Sequence, residues 1–175
     1  MSSSEQSECH VEMLQLALEE AQKCTPSPTA FCVGAVITVK VDSLSKPIIL
    51  ATGYSRELEG NTHAEANALT KIRSYSKEEL HQLVPDLPQG ATVEDVLAQA
   101  DIYTTMEPCS VRTSGLAPCA NAIVMARLRR CFIGVGEPDD FVNCEGAQRL
   151  KDAGVEVIWV KGLEDKCLEV ARAGH

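Results

Sequence analysis

One opening hairpin, followed by a regular alternation of strand-like and helix-like segments, constrains this chain more than any other feature. Phe31 to Val41 is rich in Val and Ile and reads as a buried strand. Asp42 to Lys46 is a turn, and Pro47 to Thr52 reads as a second strand paired with the first. The pattern then changes. His63 to Ile72 predicts a helix, Ile102 to Met106 a strand, and Pro118 to Arg129 a helix. Cys131 to Val135 predicts a strand, Glu145 to Asp152 a helix ended by Gly154, Val155 to Val160 a strand, and Leu163 to Ala171 a last helix. Upstream, Val11, Leu14, Leu18 and Ala21 recur at helical spacing across His10 to Cys24, and Thr25-Pro-Ser-Pro ends that helix. Strands that alternate with helices are covered by them on both faces. The expected fold is α/β, a three-layer α/β/α sandwich around a central mixed sheet of about five strands.

The 175 residues suffice for a single domain over 1–175. The Ser-rich residues 1–7 are expected to be frayed and disordered. Residues 75–100 read as an insertion with one helix near Val93–Gln99. Sixteen basic residues against 25 acidic ones leave a net charge of −9. That balance argues against a general nucleic-acid binder, which needs a basic surface to displace counterions from phosphates. A local arginine can still hold one small phosphorylated ligand. No stretch approaches the ~20 apolar residues of a membrane span. The N-terminal residues lack the basic and apolar regions of a secretory signal, so a cytoplasmic location is expected, which can extend to the nucleus as well. In such a compartment the eight cysteines favour metal or catalytic use over disulfides wherever they stand in a special context.

That context exists. His63-Ala64-Glu65 opens one predicted helix, Glu107-Pro108-Cys109 follows a predicted strand, and Pro118-Cys119 opens another helix. One His and two Cys can hold Zn²⁺ while leaving a fourth position open for water, the pattern of a catalytic zinc. Glu65 lies two residues from His63, so one side chain can reach the metal and the other its water. Zinc lowers the pKa of such a water to about 7. A carboxylate beside it can move protons between water, a ring nitrogen and departing ammonia. A lone His-x-Glu is an ordinary helix entry, and lone cysteines are ordinary packing. Their order and placement together match the H-x-E…P-C signature of zinc-dependent base deaminases, in which Glu is not a ligand. Pro118 suits a first helical position and would set Cys119 among free N–H groups that stabilise a thiolate.

The chain resembles the cytidine-deaminase-like superfamily, and within it the deaminases of riboflavin biosynthesis, their fungal branch above all. The resemblance rests on Ala30-Phe-Cys-Val-Gly-Ala, Gly53-Tyr-Ser-Arg-Glu-Leu, Gly60-Asn-Thr-His-Ala-Glu, Tyr103-Thr-Thr-Met-Glu-Pro-Cys-Ser-Val-Arg, Ser114-Gly, Pro118-Cys, Gly134-Val-Gly-Glu-Pro-Asp and the closing Ala173-Gly-His. It implies a zinc hydrolase that removes the C2 amino group of 2,5-diamino-6-ribitylamino-4(3H)-pyrimidinone 5′-phosphate. It also suggests a homo-oligomer, with neither nucleic acid nor membrane as partner. Cytosine, a nucleoside or a guanine-like base is the alternative substrate, and an inactive zinc-stabilised scaffold the alternative role. Nine residues separate Cys109 from Cys119, against two in most base deaminases, which argues against a tRNA or cytidine substrate. Some relatives carry a second domain, for which 175 residues leave no room.

Arg112, Thr113, Ser114 and Gly115 in that spacer suit a phosphate or ribityl chain, and Arg112 and Ser114 are the candidates. Arg56 and Asn61 precede the histidine, and Glu137 follows a strand end, where open α/β sheets place ligands. Cys9, Cys24, Cys131, Cys144 and Cys167 read as packing or surface thiols, and Cys32 as a small buried hydrophobe. Arg127, Arg129 and Arg130 read as cations at a helix C-terminus.

Overall fold

The computed structural model describes residues 3–60, 63–112, 115–138 and 145–174. Five strands form one sheet in the order β2-β1-β3-β4-β5. They are β1 (Gly34–Val39), β2 (Ile48–Tyr54), β3 (Ala100–Met106), β4 (Arg130–Val135) and β5 (Glu156–Trp159). β1 runs antiparallel to both β2 and β3, whereas β3, β4 and β5 are mutually parallel. The expected mixed sheet and its hairpin are present.

Helices cover both faces, as the alternation requires. One face buries Ala35, Ile37, Val39, Ile102, Cys131 and Ile133 beneath α2 (Ala64–Arg73), α5 (Cys119–Met125) and α6 (Gly146–Asp152). The other buries Val36, Tyr103 and Phe132 beneath α1 (Ser3–Ala21) and α7 (Glu164–Ala171). Period-2 alternation along β1 thus splits its residues between two cores. Among the described residues, no helix is long and apolar enough to cross a membrane.

Several boundaries differ from expectation. α1 begins at Ser3, so residues 3–7, read from the sequence as frayed, are helical. Glu and Gln cost little once the amphipathic stretch behind them is packed. The 75–100 insertion holds two helices, α3 (Lys77–Leu83) and α4 (Val93–Leu97), each opened by a capping box from Ser76 and Thr92. Leu80, Val84, Val96 and Leu97 lie in the main core, so this segment is part of the domain's packing. α5 stops at Met125, and Arg127 adopts a left-handed φ of 56° just beyond it. Arg130 instead starts β4 and grips the carboxylate of Asp101 with two hydrogen bonds, which Arg129 supports at 3.6 Å. These arginines tie two strands together and do not cap a helix.

Gly53 lets the site-bearing helix sit directly on the sheet. A Cβ there would lie 2.3 Å from the carbonyl oxygen of Ala64 and 2.7 Å from the nitrogen of Ala68. Only hydrogen fits between β2 and the first turn of α2.

Candidate active site

Three polypeptide ends meet where β3 finishes. His63 is the N-cap of α2, with extended backbone at φ −108° and ψ 138°. Cys109 follows the C-terminus of β3, and Cys119 is the first residue of α5. His63 Nδ1 stands 3.6 Å from Cys109 Sγ and 3.4 Å from Cys119 Sγ. The three ligand atoms all lie within 4.8 Å of one another. Ligands at Zn–S and Zn–N bond lengths around a tetrahedral centre stand about 3.6 Å apart. The cluster has that spacing, and it has the donor types of a three-ligand zinc site. Among the described residues no fourth His, Cys, Asp or Glu joins it.

The N-terminus of α5 serves Cys109 more than Cys119. The Cys119 N–H donates to Cys109 Sγ at 3.3 Å, and the Ala120 N–H donates to the Cys109 carbonyl oxygen at 3.2 Å. The free N–H group expected to stabilise a Cys119 thiolate is therefore directed at its partner. Glu65 is 3 % exposed, in the first turn of α2. Thr104, on β3, lies with its hydroxyl 3.5 Å from Glu65 Oε1 and donates to the Met106 carbonyl oxygen at 2.9 Å.

The description "cytidine and deoxycytidylate deaminase zinc-binding region" matches residues 7–135, which contain all four of these residues. The chain belongs to this deaminase family. It is 41 % identical over 166 residues to the diaminohydroxyphosphoribosylamino-pyrimidine deaminase of Schizosaccharomyces pombe, covering 95 % of this chain and 36 % of that protein. It is 30 % identical over 145 residues to the riboflavin biosynthesis protein RibD of Bacillus amyloliquefaciens, covering 82 % of this chain and 30 % of that one. The chain therefore spans about a third of the length of these curated relatives. Among solved structures, Aspergillus oryzae Rib2 deaminase in complex with DARIPP, a C-terminal deletion mutant, superposes with a TM-score of 0.74. That pair is 35 % identical and covers 95 % of this chain and 92 % of the Aspergillus chain.

Electrostatics in the deaminase site follow from burial and from the paired sulfurs. The Cys109 thiol is held well below the usual range by the hydrogen bond it shares with Cys119, with His63 and the Cys119 N–H adding to the effect. Cys119 is pushed up by the same shared proton and by its burial. Burial, and then the negative charge of Cys109, raise the Glu65 carboxyl. A carboxyl with raised proton affinity beside the ligand cluster is suited to pass protons on. Burial pulls the His63 imidazole down, but its Cys109 hydrogen bond and the charges of Glu65 and Cys109 outweigh that and leave it raised.

The candidate substrate contacts divide. Arg112 is half-buried, lies within electrostatic reach of His63, and points Nη1 at the Ala117 carbonyl oxygen of its own loop at 3.5 Å. Glu137 is half-buried just past the end of β4. Asn61 and Ser114 lie outside the described residues. Arg56 directs its guanidinium to the carbonyl oxygens of Phe31 at 3.1 Å and Thr25 at 2.7 Å.

Sequence reasoning missed the residues that hold the Cys109 loop. Glu107 accepts the Ala147 N–H at 2.8 Å, and Ser110 accepts the Glu145 N–H at 3.1 Å. Both tie the start of α6 to the segment carrying Cys109. Their adjacency to Cys109 in Glu107-Pro-Cys-Ser110 was the available signal.

Proposed function

We propose that this deaminase hydrolyses the C2 amino group of 2,5-diamino-6-ribitylamino-4(3H)-pyrimidinone 5′-phosphate, giving the corresponding uracil and ammonia, a step of riboflavin biosynthesis. The observation that carries the reading is the buried Glu65 carboxyl beside a three-ligand group of zinc spacing, on a chain 41 % identical to a deaminase named for a phosphorylated pyrimidine. Zinc held by His63, Cys109 and Cys119 would supply an activated water at neutral pH. Glu65 would accept a proton from the attacking water and pass it to the ring nitrogen next to C2 as the water oxygen bonds to C2. It would then carry the remaining hydroxyl proton to the amino group, whose C2–N bond breaks to release ammonia. The buried wall of Thr104, Cys109 and Cys119 keeps bulk water away from the carboxyl. C2 lies between two ring nitrogens and is electrophilic; N3 already carries hydrogen in the 4(3H) form, so N1 is the nitrogen that takes the proton.

Arg112 is the residue proposed to bind the phosphate. A guanidinium at the rim of the site can hold it by paired charge-assisted hydrogen bonds, with Ser114, Asn61 and Glu137 as the remaining candidate contacts. Anchoring the far end of a flexible ribityl chain positions the ring, and such remote binding energy appears partly as turnover. We place the protein in the cytoplasm, where its thiolate ligands remain reduced. We also propose a homo-oligomer, for which Val111, Leu116 and Met125 supply exposed apolar surface.

An ammonia-release assay on phosphorylated and dephosphorylated pyrimidinone, cytosine and cytidine tests the substrate. The phosphorylated compound should be strongly preferred and cytidine nearly inert. Arg112→Ala should cost about 1.5–3 kcal/mol in kcat/KM on the phosphorylated substrate, the value of a hydrogen bond to a charged group, and far less on the other. Equal losses on both would remove Arg112 from phosphate binding. Efficient cytidine turnover would overturn the substrate.

A further inference from the structure

Two cysteines outside the metal group lie side by side between α1 and the hairpin. Cys24 follows the end of α1, and Cys32 lies just before β1. Cys24 Sγ approaches the carbonyl oxygen of Ser55 at 3.3 Å and that of Val33 at 3.7 Å. Cys32 Sγ accepts a hydrogen bond from Arg56 Nη2 at 3.2 Å. Val33 follows Cys32 and Arg56 follows Ser55, and these segments pair through the Ser55 N–H and the Val33 carbonyl oxygen at 2.9 Å. Both sulfurs therefore face one junction. Burial, and then the neighbouring Cys32, push the Cys24 thiol up to about 11.

Arg56 is fixed for this role. It holds a left-handed φ of 65°, uncommon for a non-glycine residue, and its other guanidinium bonds go to the backbone of Phe31 and Thr25. The two sulfurs are thus not equivalent. A guanidinium donating to sulfur stabilises charge developing there, and the thiolate is the form that attacks an oxidant. Cys24 faces the carbonyl oxygens of Ser55 and Val33 and has a raised proton affinity, the setting of a thiol that waits.

We propose that Cys32 is a peroxide-sensitive thiol and Cys24 its resolving partner, and that hydrogen peroxide joins them into a Cys24–Cys32 disulfide. The Cys32 sulfur attacks one peroxide oxygen; the S–O bond forms, the O–O bond breaks and hydroxide leaves. The Cys24 sulfur then attacks the Cys32 sulfur; the S–S bond forms, the S–O bond breaks, and the departing oxygen takes up the Cys24 proton as water. Two thiols lose two electrons and two protons, and one peroxide becomes two waters. The bond closes the Thr25–Phe31 segment covalently where Arg56 now holds it by hydrogen bonds.

Tryptic mapping reads this directly. Lys23 and Lys40 bracket a peptide, residues 24–40, that contains Cys24, Cys32 and no third cysteine, while Arg112 separates Cys109 from Cys119 in other peptides. The zinc-loaded full chain is treated with hydrogen peroxide, alkylated and digested. The 24–40 peptide should appear unalkylated and about 2 Da lighter before the Cys109 and Cys119 peptides change, and reductant should restore two alkylatable thiols. Cys24→Ser should leave a sulfenic acid on Cys32 that dimedone traps. Arg56→Gln should slow disulfide formation at least about tenfold, as expected for losing one hydrogen bond to a charged group. A 24–40 peptide that stays fully alkylated after the zinc-ligand peptides have oxidised overturns the proposal. That outcome is read on the wild-type protein, so it does not depend on any variant folding.

Discussion

Gly53→Ala tests how closely catalysis depends on the seating of α2. The new Cβ would lie 2.3 Å from the Ala64 carbonyl oxygen, whereas ordinary contact begins at 3.4 Å. Both neighbours are backbone, so no side chain can swing aside. β2 and α2 must separate by about 1 Å, and His63 and Glu65 ride on the turn that moves. Overpacking of this kind costs about 1–3 kcal/mol, or roughly 2–12 °C in Tm for a domain of this size. A misplacement of about 1 Å can cost ~10²-fold in rate. Gly154→Ala is the control: its φ is +86° with nothing within 4 Å of the new Cβ. It should lose about 1–2 kcal/mol of stability through backbone strain, with no change in turnover per folded, zinc-loaded molecule. Thermal melts, metal content and ammonia release on all three proteins decide the matter. A Gly53→Ala variant with wild-type Tm and turnover would refute the seating argument.

Cys109→Ala should abolish stoichiometric zinc and lower stability, because the ion ties β3, α2 and α5 together; elemental analysis of the purified variant checks this. His10 should make stability fall with acidification. Burial, and then the charge of Arg130, lower its pKa from 6.5, so the unfolded chain binds the proton more readily and stability declines as pH drops through about 6.5. His10→Gln should flatten that dependence in melts between pH 7.5 and about 5.5, and an unchanged slope would assign it to other groups.

The order of strands and helices was legible because period-2 and period-3.6 patterns rarely overlap in this chain. The site was legible because zinc chemistry demands a narrow set of residues at helix and strand ends. What stayed hidden depended on tertiary partners. Ser76-x-x-Glu79 is a capping box, but the seven-residue helix behind it is short and polar, and Leu80, Leu83 and the following Val84 anchor it only through the folded core. Arg130 looked like a helix cap because its partner, Asp101, lies 29 residues away. Arg56 was read toward the ligand because it precedes the histidine; its contacts with Thr25, Phe31 and Cys32, made from a left-handed turn, are set by partners at least 24 residues away. Cys24 and Cys32 read as packing, and their placement as neighbours appears only once the hairpin is folded.

The central claim is that Glu65 moves protons and the metal ligands do not depend on it. Glu65→Gln, assayed for zinc content and ammonia release on the same preparation, tests it most directly. The predicted result is stoichiometric zinc with turnover reduced at least ~10²–10⁴-fold. Near-normal turnover with zinc in place would contradict the mechanism.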